Sequence, residues 1–143
     1  MGFSVTASFA VLFLAGMISL AYLYTSAEQA ITLALDAGDE KLSRDYARLY
    51  GDIDVVYINA TQQGAVYDLE VRIYNAGDVE LNSRRMSFIV NGTLRAPDYY
   101  STEYLLPGNN LTVAFYSIPG TGTGRLRVVT EYGNSAYASY EVV

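Results

Sequence analysis

Residues 5–24 read VTASFAVLFLAGMISLAYLY, and the reading of this stretch decides the architecture. No charged side chain occurs between Gly2 and Ala27, and the first is Glu28. A run of about 20 apolar residues is long enough to cross the hydrocarbon core of a bilayer. Val5, Phe9, Val11, Leu12, Phe13, Leu14, Ile18, Leu20 and Leu23 together contribute about −3 to −5 kcal/mol on an insertion scale. Thr6, Ser8 and Ser19 offset little of this, because their hydroxyls can bond back to the preceding turn. Tyr22 and Tyr24 fall where an aromatic belt meets the outer interface. A cleaved secretory signal would carry a basic n-region and a shorter apolar core, although Thr25-Ser26-Ala27 is a passable cleavage site. Met1-Gly2-Phe3-Ser4-Val5-Thr6 fits the N-myristoylation pattern, but a lipid adds little to a segment that already spans, so the match is read as chance. A buried core helix would need more surrounding protein than the remaining chain supplies. Residues 1–27 are therefore predicted to be a transmembrane helix.

The helical period continues beyond it. Ile31, Leu35, Leu42, Tyr46 and Leu49 form one apolar stripe on a segment otherwise carrying Glu28, Asp36, Asp39, Glu40, Lys41, Arg44, Asp45 and Arg48. Glu40 and Arg44 are spaced to pair along the helix. Gly38 weakens it by about 1 kcal/mol relative to Ala, and Gly51 is the expected C-cap. Residues 28–51 thus read as a helical neck, whose stripe suits either the chain's own sheet domain or a seam with another copy or a partner helix. At ~1.5 Å per residue the helix from Phe3 to Tyr50 would be roughly 70 Å long.

After Gly51 the period changes to two. A first strand is expected over 52–59, with a turn at Thr61-Gln62-Gln63-Gly64. Tyr67, Leu69, Val71 and Ile73 alternate with Asp68, Glu70, Arg72 and Tyr74 as a half-buried strand. Asn75-Ala76-Gly77-Asp78 breaks it. Met86 to Val90 followed by Asn91-Gly92 signals a hairpin. Leu106-Pro107-Gly108-Asn109-Asn110 precedes a strand through Leu111, Val113 and Phe115. Residues 119–124 read as a flexible loop, and Tyr132-Gly133-Asn134 as a turn between the last two strands. About seven short strands at spacings near ten argue an immunoglobulin-like antiparallel β-sandwich over residues 52–143. The fold class is α+β.

Composition excludes much chemistry. Among 143 residues there is no Cys and no His, which rules out Cys/His zinc sites, Cys/His nucleophile pairs and Ser-His-Asp triads. No cofactor is implied, and an enzyme is not expected. The net charge of −6 argues against nucleic acid, which needs a basic face. Asp52/Asp54 and Asp36/Asp39/Glu40 lack the ligand series that calcium requires and read as solvated faces. The Gly120–Gly124 run opens no helix, so it is no phosphate cradle. Asn59-Ala60-Thr61, Asn91-Gly92-Thr93 and Asn110-Leu111-Thr112 are N-glycosylation sequons, which make Asn59, Asn91 and Asn110 candidate acceptors and favour a sheet domain outside the cell. The positive-inside signal is weak, so the sequons carry that orientation. Tyr99, Tyr100 and Tyr104 cluster in one loop region as a candidate partner surface, or else as a cover for the end of the sandwich.

The order of parts resembles the archaellum accessory protein F family (FlaF, also ArlF). Met-Gly-Phe-Ser-Val at the start, Leu69-Glu70-Val71-Arg72-Ile73-Tyr74-Asn75-Ala76-Gly77, Leu106-Pro107-Gly108 and Arg125-Leu126-Arg127-Val128-Val129-Thr130-Glu131-Tyr132-Gly133 match its pattern over most of the chain. The resemblance implies a non-enzymatic stator component of the archaeal flagellum. Such a component sits in the cytoplasmic membrane with its sandwich outside, forms a homodimer, and binds the surface-layer protein, often with archaellum protein G, to anchor the motor for swimming. No binding residues transfer with it. Flagellins and type IV pilin-like filament subunits share the plan of helix then sandwich. They are made with a short leader ending in Lys/Arg-Gly, and many carry an acidic residue a few positions into the helix. Here Met1 stands before Gly2, and Val5 and Thr6 occupy the early helix, departures that favour an anchor over a filament subunit.

Overall fold

A computed structural model describes residues 2–143, with side chains from Ser4 onward. Met1, shared by the myristoylation pattern and the opening family motif, lies outside the described residues. Helix α1 (Gly2–Tyr50) is continuous over 49 residues, and every residue from Ser4 to Tyr46 is exposed. The hydroxyls of Ser8, Ser19, Thr25, Ser26 and Thr32 each donate to the carbonyl four residues earlier at 2.6–2.9 Å. Those bonds satisfy hydroxyls that a hydrocarbon environment could not. The helix is long and apolar enough to cross a membrane.

The chain divides into two compact units, the helix up to Ser43 and the residues Arg44–Val143. The second unit therefore includes the last turns of α1. In these turns Ala47 is buried, whereas Tyr46 and Leu49 of the apolar stripe stay exposed. Gly51 also ends the helix differently from the expected cap. Its φ is not positive, and its N–H still donates to the Ala47 carbonyl at 2.9 Å. Glycine is needed there for space, because a Cβ would strike the Ala47 carbonyl and crowd the Asn134 side chain.

Ten strands follow: β1 (Ile53–Gln63), β2 (Val66–Asn75), β3 (Leu81–Asn82), β4 (Ser87–Val90), β5 (Thr93–Arg95), β6 (Tyr99–Tyr100), β7 (Tyr104–Leu105), β8 (Asn110–Pro119), β9 (Thr123–Val129) and β10 (Ser135–Glu141). One sheet has the order β1-β2-β8-β6, the facing sheet β10-β9-β4-β5, and β3-β7 form a small third pair. The strand pairings are antiparallel. This is the expected antiparallel sandwich, with more strands than expected because β3, β6 and β7 have two residues each and carry no periodic signal. Near the end of β1 the C-terminal residues cover part of its edge: Gln62 N–H donates to Val143 O, and Val143 N–H to Ala60 O, beside a parallel bridge between Ala60 and Val142, which shortens the exposed edge of the first sheet.

Tyr67, Leu69, Val71 and Ile73 are all buried as the alternation requires, in one core with Leu111 and Phe115 of the neighbouring β8 and Phe88, Leu126 and Val128 of the second sheet. Phe88 and Phe115 pack edge to face at 5.5 Å between centroids. The Asn91-Gly92 hairpin forms, with φ of 51° and 81°, the paired positive values that a tight two-residue hairpin demands. Two expected turns are shorter than anticipated. Thr61 to Gln63 continue β1, leaving Gly64-Ala65 as the turn, because Gln63 still pairs with Val66. Thr123 and Gly124 belong to β9, where Gly124 faces Tyr140 across the ladder and a Cβ would overlap the tyrosine ring.

The break after β2 is a polar knot. Asn75 is fully buried. Its Nδ2 donates to Val79 O at 2.8 Å and Leu105 O at 3.0 Å, and its Oδ1 accepts from Gly77 N–H at 3.0 Å. The Ala76 and Gly77 N–H groups donate to Asp52 O, and the Asp78 N–H to Tyr50 O. Gly77 lies so close to the Tyr50 carbonyl and Asp52 nitrogen that no Cβ fits. Asn75→Ala is expected to deprive the Val79 and Leu105 carbonyls of their amide donor and lower stability by about 2–3 kcal/mol. Gly77→Ala should cost about 1–3 kcal/mol through a backbone clash. Thermal unfolding of the full chain in detergent, followed by circular dichroism in the β region, measures both.

Candidate functional site

Among the described residues no group of three or more acidic side chains could hold a metal ion. What the sandwich presents instead is surface. The outer face of the first sheet is set by register. Asn59 pairs with Glu70, Glu70 with Ala114, and Ala114 with Tyr99, so these four form one row across four strands. Arg72 lies in the adjacent row, with its guanidinium over the Tyr57 ring at 5.4 Å from the centroid. On the other side Thr61 pairs with Asp68, whose carboxylate is already committed to Gln63 Nε2 and to the Ser117 N–H. Ala114 is the low point, and the result is a trough of about 330 Å³ lined by Asn59, Glu70, Tyr99, Thr112 and Tyr116 among others.

The three tyrosines proposed from sequence are not equivalent. Tyr99 stands at the trough, half exposed, in β6. Tyr100, its neighbour in the strand, turns the other way and packs on the core, where burial raises its pKa and Arg84 partly opposes the shift. Tyr104 is exposed in the separate β3-β7 pair, opposite Asn82. Strand alternation separates Tyr99 from Tyr100, and a change of sheet separates Tyr104. Tyr116 and Glu70 were not singled out from sequence. Each follows the outward period of its strand, but only the order β2-β8-β6 brings them beside Tyr99.

The sequons also differ. Asn59 is exposed on the trough wall, its Nδ2 directed at Thr61 Oγ1 at 3.5 Å. Asn110 is exposed at the start of β8, opposite Tyr74. Asn91 is structurally committed: Nδ2 donates to Tyr67 OH at 3.2 Å, and Oδ1 accepts from the Arg125 N–H at 2.8 Å. Tyr67 OH in turn is 2.7 Å from Tyr140 OH in the core. Burial and the Tyr67 hydrogen bond push the Tyr140 pKa well above its ordinary 10.0.

No family model matches the chain, and no curated protein matches it. Among solved structures it is similar to the archaeal flagellum of Methanospirillum hungatei strain JF1, at 13% identity over 93% of this chain and 90% of that one, with a TM-score of 0.63. It is also similar to the archaellum periplasmic stator protein FlaG of Sulfolobus acidocaldarius, at 17% identity over 63% of this chain and 99% of that one, TM-score 0.48. The FlaF–FlaG stator complex of the same organism matches at 17% identity over 62% and 88%, TM-score 0.47. The first of these likenesses extends over both helix and sandwich, and it is a likeness of fold.

The tyrosine pair makes a pH prediction. The folded protein holds the Tyr140 proton more tightly than the unfolded chain does. Its contribution is whole below pH about 10 and is lost as pH climbs toward the raised folded value. Stability measured by urea unfolding is expected to fall above pH about 10, and less steeply in Tyr140→Phe, which should itself cost about 1 kcal/mol at neutral pH.

Proposed function

We propose that this chain is a non-enzymatic, single-pass component of the archaellum. Residues 1–27 hold it in the cytoplasmic membrane, 28–51 form the neck, and the sandwich of 52–143 stands outside. There it engages the surface-layer protein and a further archaellum component such as protein G, as a homodimer, and so anchors the motor. The observation that carries this reading is a helix exposed from Ser4 to Tyr46 and uncharged up to Ala27, attached to a sandwich that offers surfaces rather than a reactive centre. An apolar helix of that length left in water would be unfavourable by several kcal/mol, which a bilayer or a polymer core relieves. The family resemblance also falls on residues with structural work: Asn75-Ala76-Gly77 is the knot at the base of the sandwich.

A second reading is a subunit of a flagellin-like filament. It is favoured by the fold likeness to the archaeal flagellum, which covers helix and sandwich together.

On the anchor reading, the full chain stays in the membrane pellet after alkaline carbonate washing, and protease added to cells removes the sandwich. Pull-down with the full chain in detergent is expected to retain isolated surface-layer protein. Release of the chain by carbonate, or an absence of surface-layer binding across salt and pH, would remove the anchor reading. Regular filaments of the purified chain in electron micrographs would establish the second.

A further inference from the structure

The trough on the first sheet contains one of the sequons in its own wall. We infer that Asn59 is an N-glycosylation site and that the glycan it carries lies along the row Asn59–Glu70–Ala114–Tyr99 of the same chain. The inference rests on the proposal that the sandwich is outside the membrane.

Adjacent strands are about 4.8 Å apart, so Asn59 and Tyr99 stand roughly 14 Å apart across three strand intervals. A short oligosaccharide leaving Asn59 can run along that line. The chemistry of the row fits sugar better than it fits an apolar side chain. The C–H face of a pyranose carries partial positive charge and packs on the negative face of an aromatic ring, and Tyr99 and Tyr116 are exposed beside the trough. Sugar hydroxyls both donate and accept. Thr61 and Thr112 offer hydroxyls, and the Glu70 carboxylate is exposed and uncommitted among the described residues. Ala114 leaves the depth that a ring occupies. The charged groups on offer, Asp68 and Glu70, are both acidic, and the Asp68 oxygens already accept hydrogen bonds, which suits a neutral saccharide and repels an anionic one.

The three sequons are not equivalent acceptors. In the transfer, Asn59 Nδ2 attacks the anomeric carbon of a lipid-phosphate-linked oligosaccharide bound to a host transferase. The C–O bond to phosphate breaks, the lipid phosphate leaves with the electron pair, and the amide loses one Nδ2 proton to a base of the transferase. Asn59 Nδ2 is exposed and lies beside the sequon hydroxyl. The corresponding nitrogen of Asn91 is turned into Tyr67, so modification there would break the contact that positions the hairpin. Asn110 is accessible but lies outside the trough.

The test is expression of the full chain in an archaeal host that N-glycosylates, with glycopeptide mass spectrometry and tetranitromethane nitration of the purified protein in detergent. Occupancy at Asn59 and its loss in Asn59→Gln and in Thr61→Ala are expected. Nitration of Tyr99 and Tyr116 should be several-fold slower in the glycosylated protein than in either variant. Tyr137, exposed on the opposite sheet, should react equally in all three. Occupancy of Asn110 without Asn59, or of no sequon although protease added to cells still removes the sandwich, would overturn the inference and leave the location standing. Occupied Asn59 with equal tyrosine rates would overturn the seating of the glycan. A sandwich sheltered from added protease would overturn the proposed location, and the inference with it.

Discussion

The base of the sandwich is organised around one buried amide, beside the last turn of α1. Asn75 satisfies two carbonyls and one N–H at the point where β2 ends. Its own backbone is held by Asn109 and holds Gly108. The residues that follow, Ala76 to Asp78, close on Tyr50 and Asp52. A buried amide is costly unless all its bonds are made, so the site admits one arrangement of the helix end, the β2 turn, the β7 strand and the loop before β8. Asn134 reinforces it from the other side by donating to the carbonyls of Arg48 and Gly51, groups that a helix C-terminus leaves unpaired.

This arrangement explains why the junction is rich in small residues. Ala47, Gly51 and Gly77 are where backbones meet without side chains between them. Hydrogen bonds then replace hydrophobic packing as the glue between the helix end and the sheets, and larger stripe residues such as Tyr46 and Leu49 remain on the outside. An exposed apolar stripe outside a satisfied junction is the kind of surface that a membrane-proximal partner or a second copy can use.

The sandwich carries its possibilities on its faces. One sheet presents aromatic, amide and carboxylate groups in register across four strands. The other presents the Arg127–Tyr137 stacking pair, 5.1 Å apart, as the Arg72–Tyr57 pair does on the first. Such pairs keep tyrosine rings on the surface in defined orientations without burying them.

Much of this was legible in the sequence. The apolar run before Glu28 specifies a helix that can span a membrane, because period and lack of charge are local properties. The alternation of Tyr67 to Ile73 specifies a half-buried strand, and Asn91-Gly92 specifies the hairpin of β4 and β5, since two positive φ angles favour few residue pairs. The missing Cys and His exclude whole classes of chemistry by composition alone. The two-residue strands β3, β6 and β7 were not legible, because pairs such as Tyr99-Tyr100 are held by a partner strand rather than by any period of their own. Nor was the reason for Gly51, which is a close approach to Ala47 and not a left-handed cap. The splitting of Tyr99, Tyr100 and Tyr104, and the gathering of Asn59, Glu70, Ala114 and Tyr99 into one row, depend on which strands are neighbours. Strand order is decided by long-range hydrogen bonding, and no local segment of the chain encodes it.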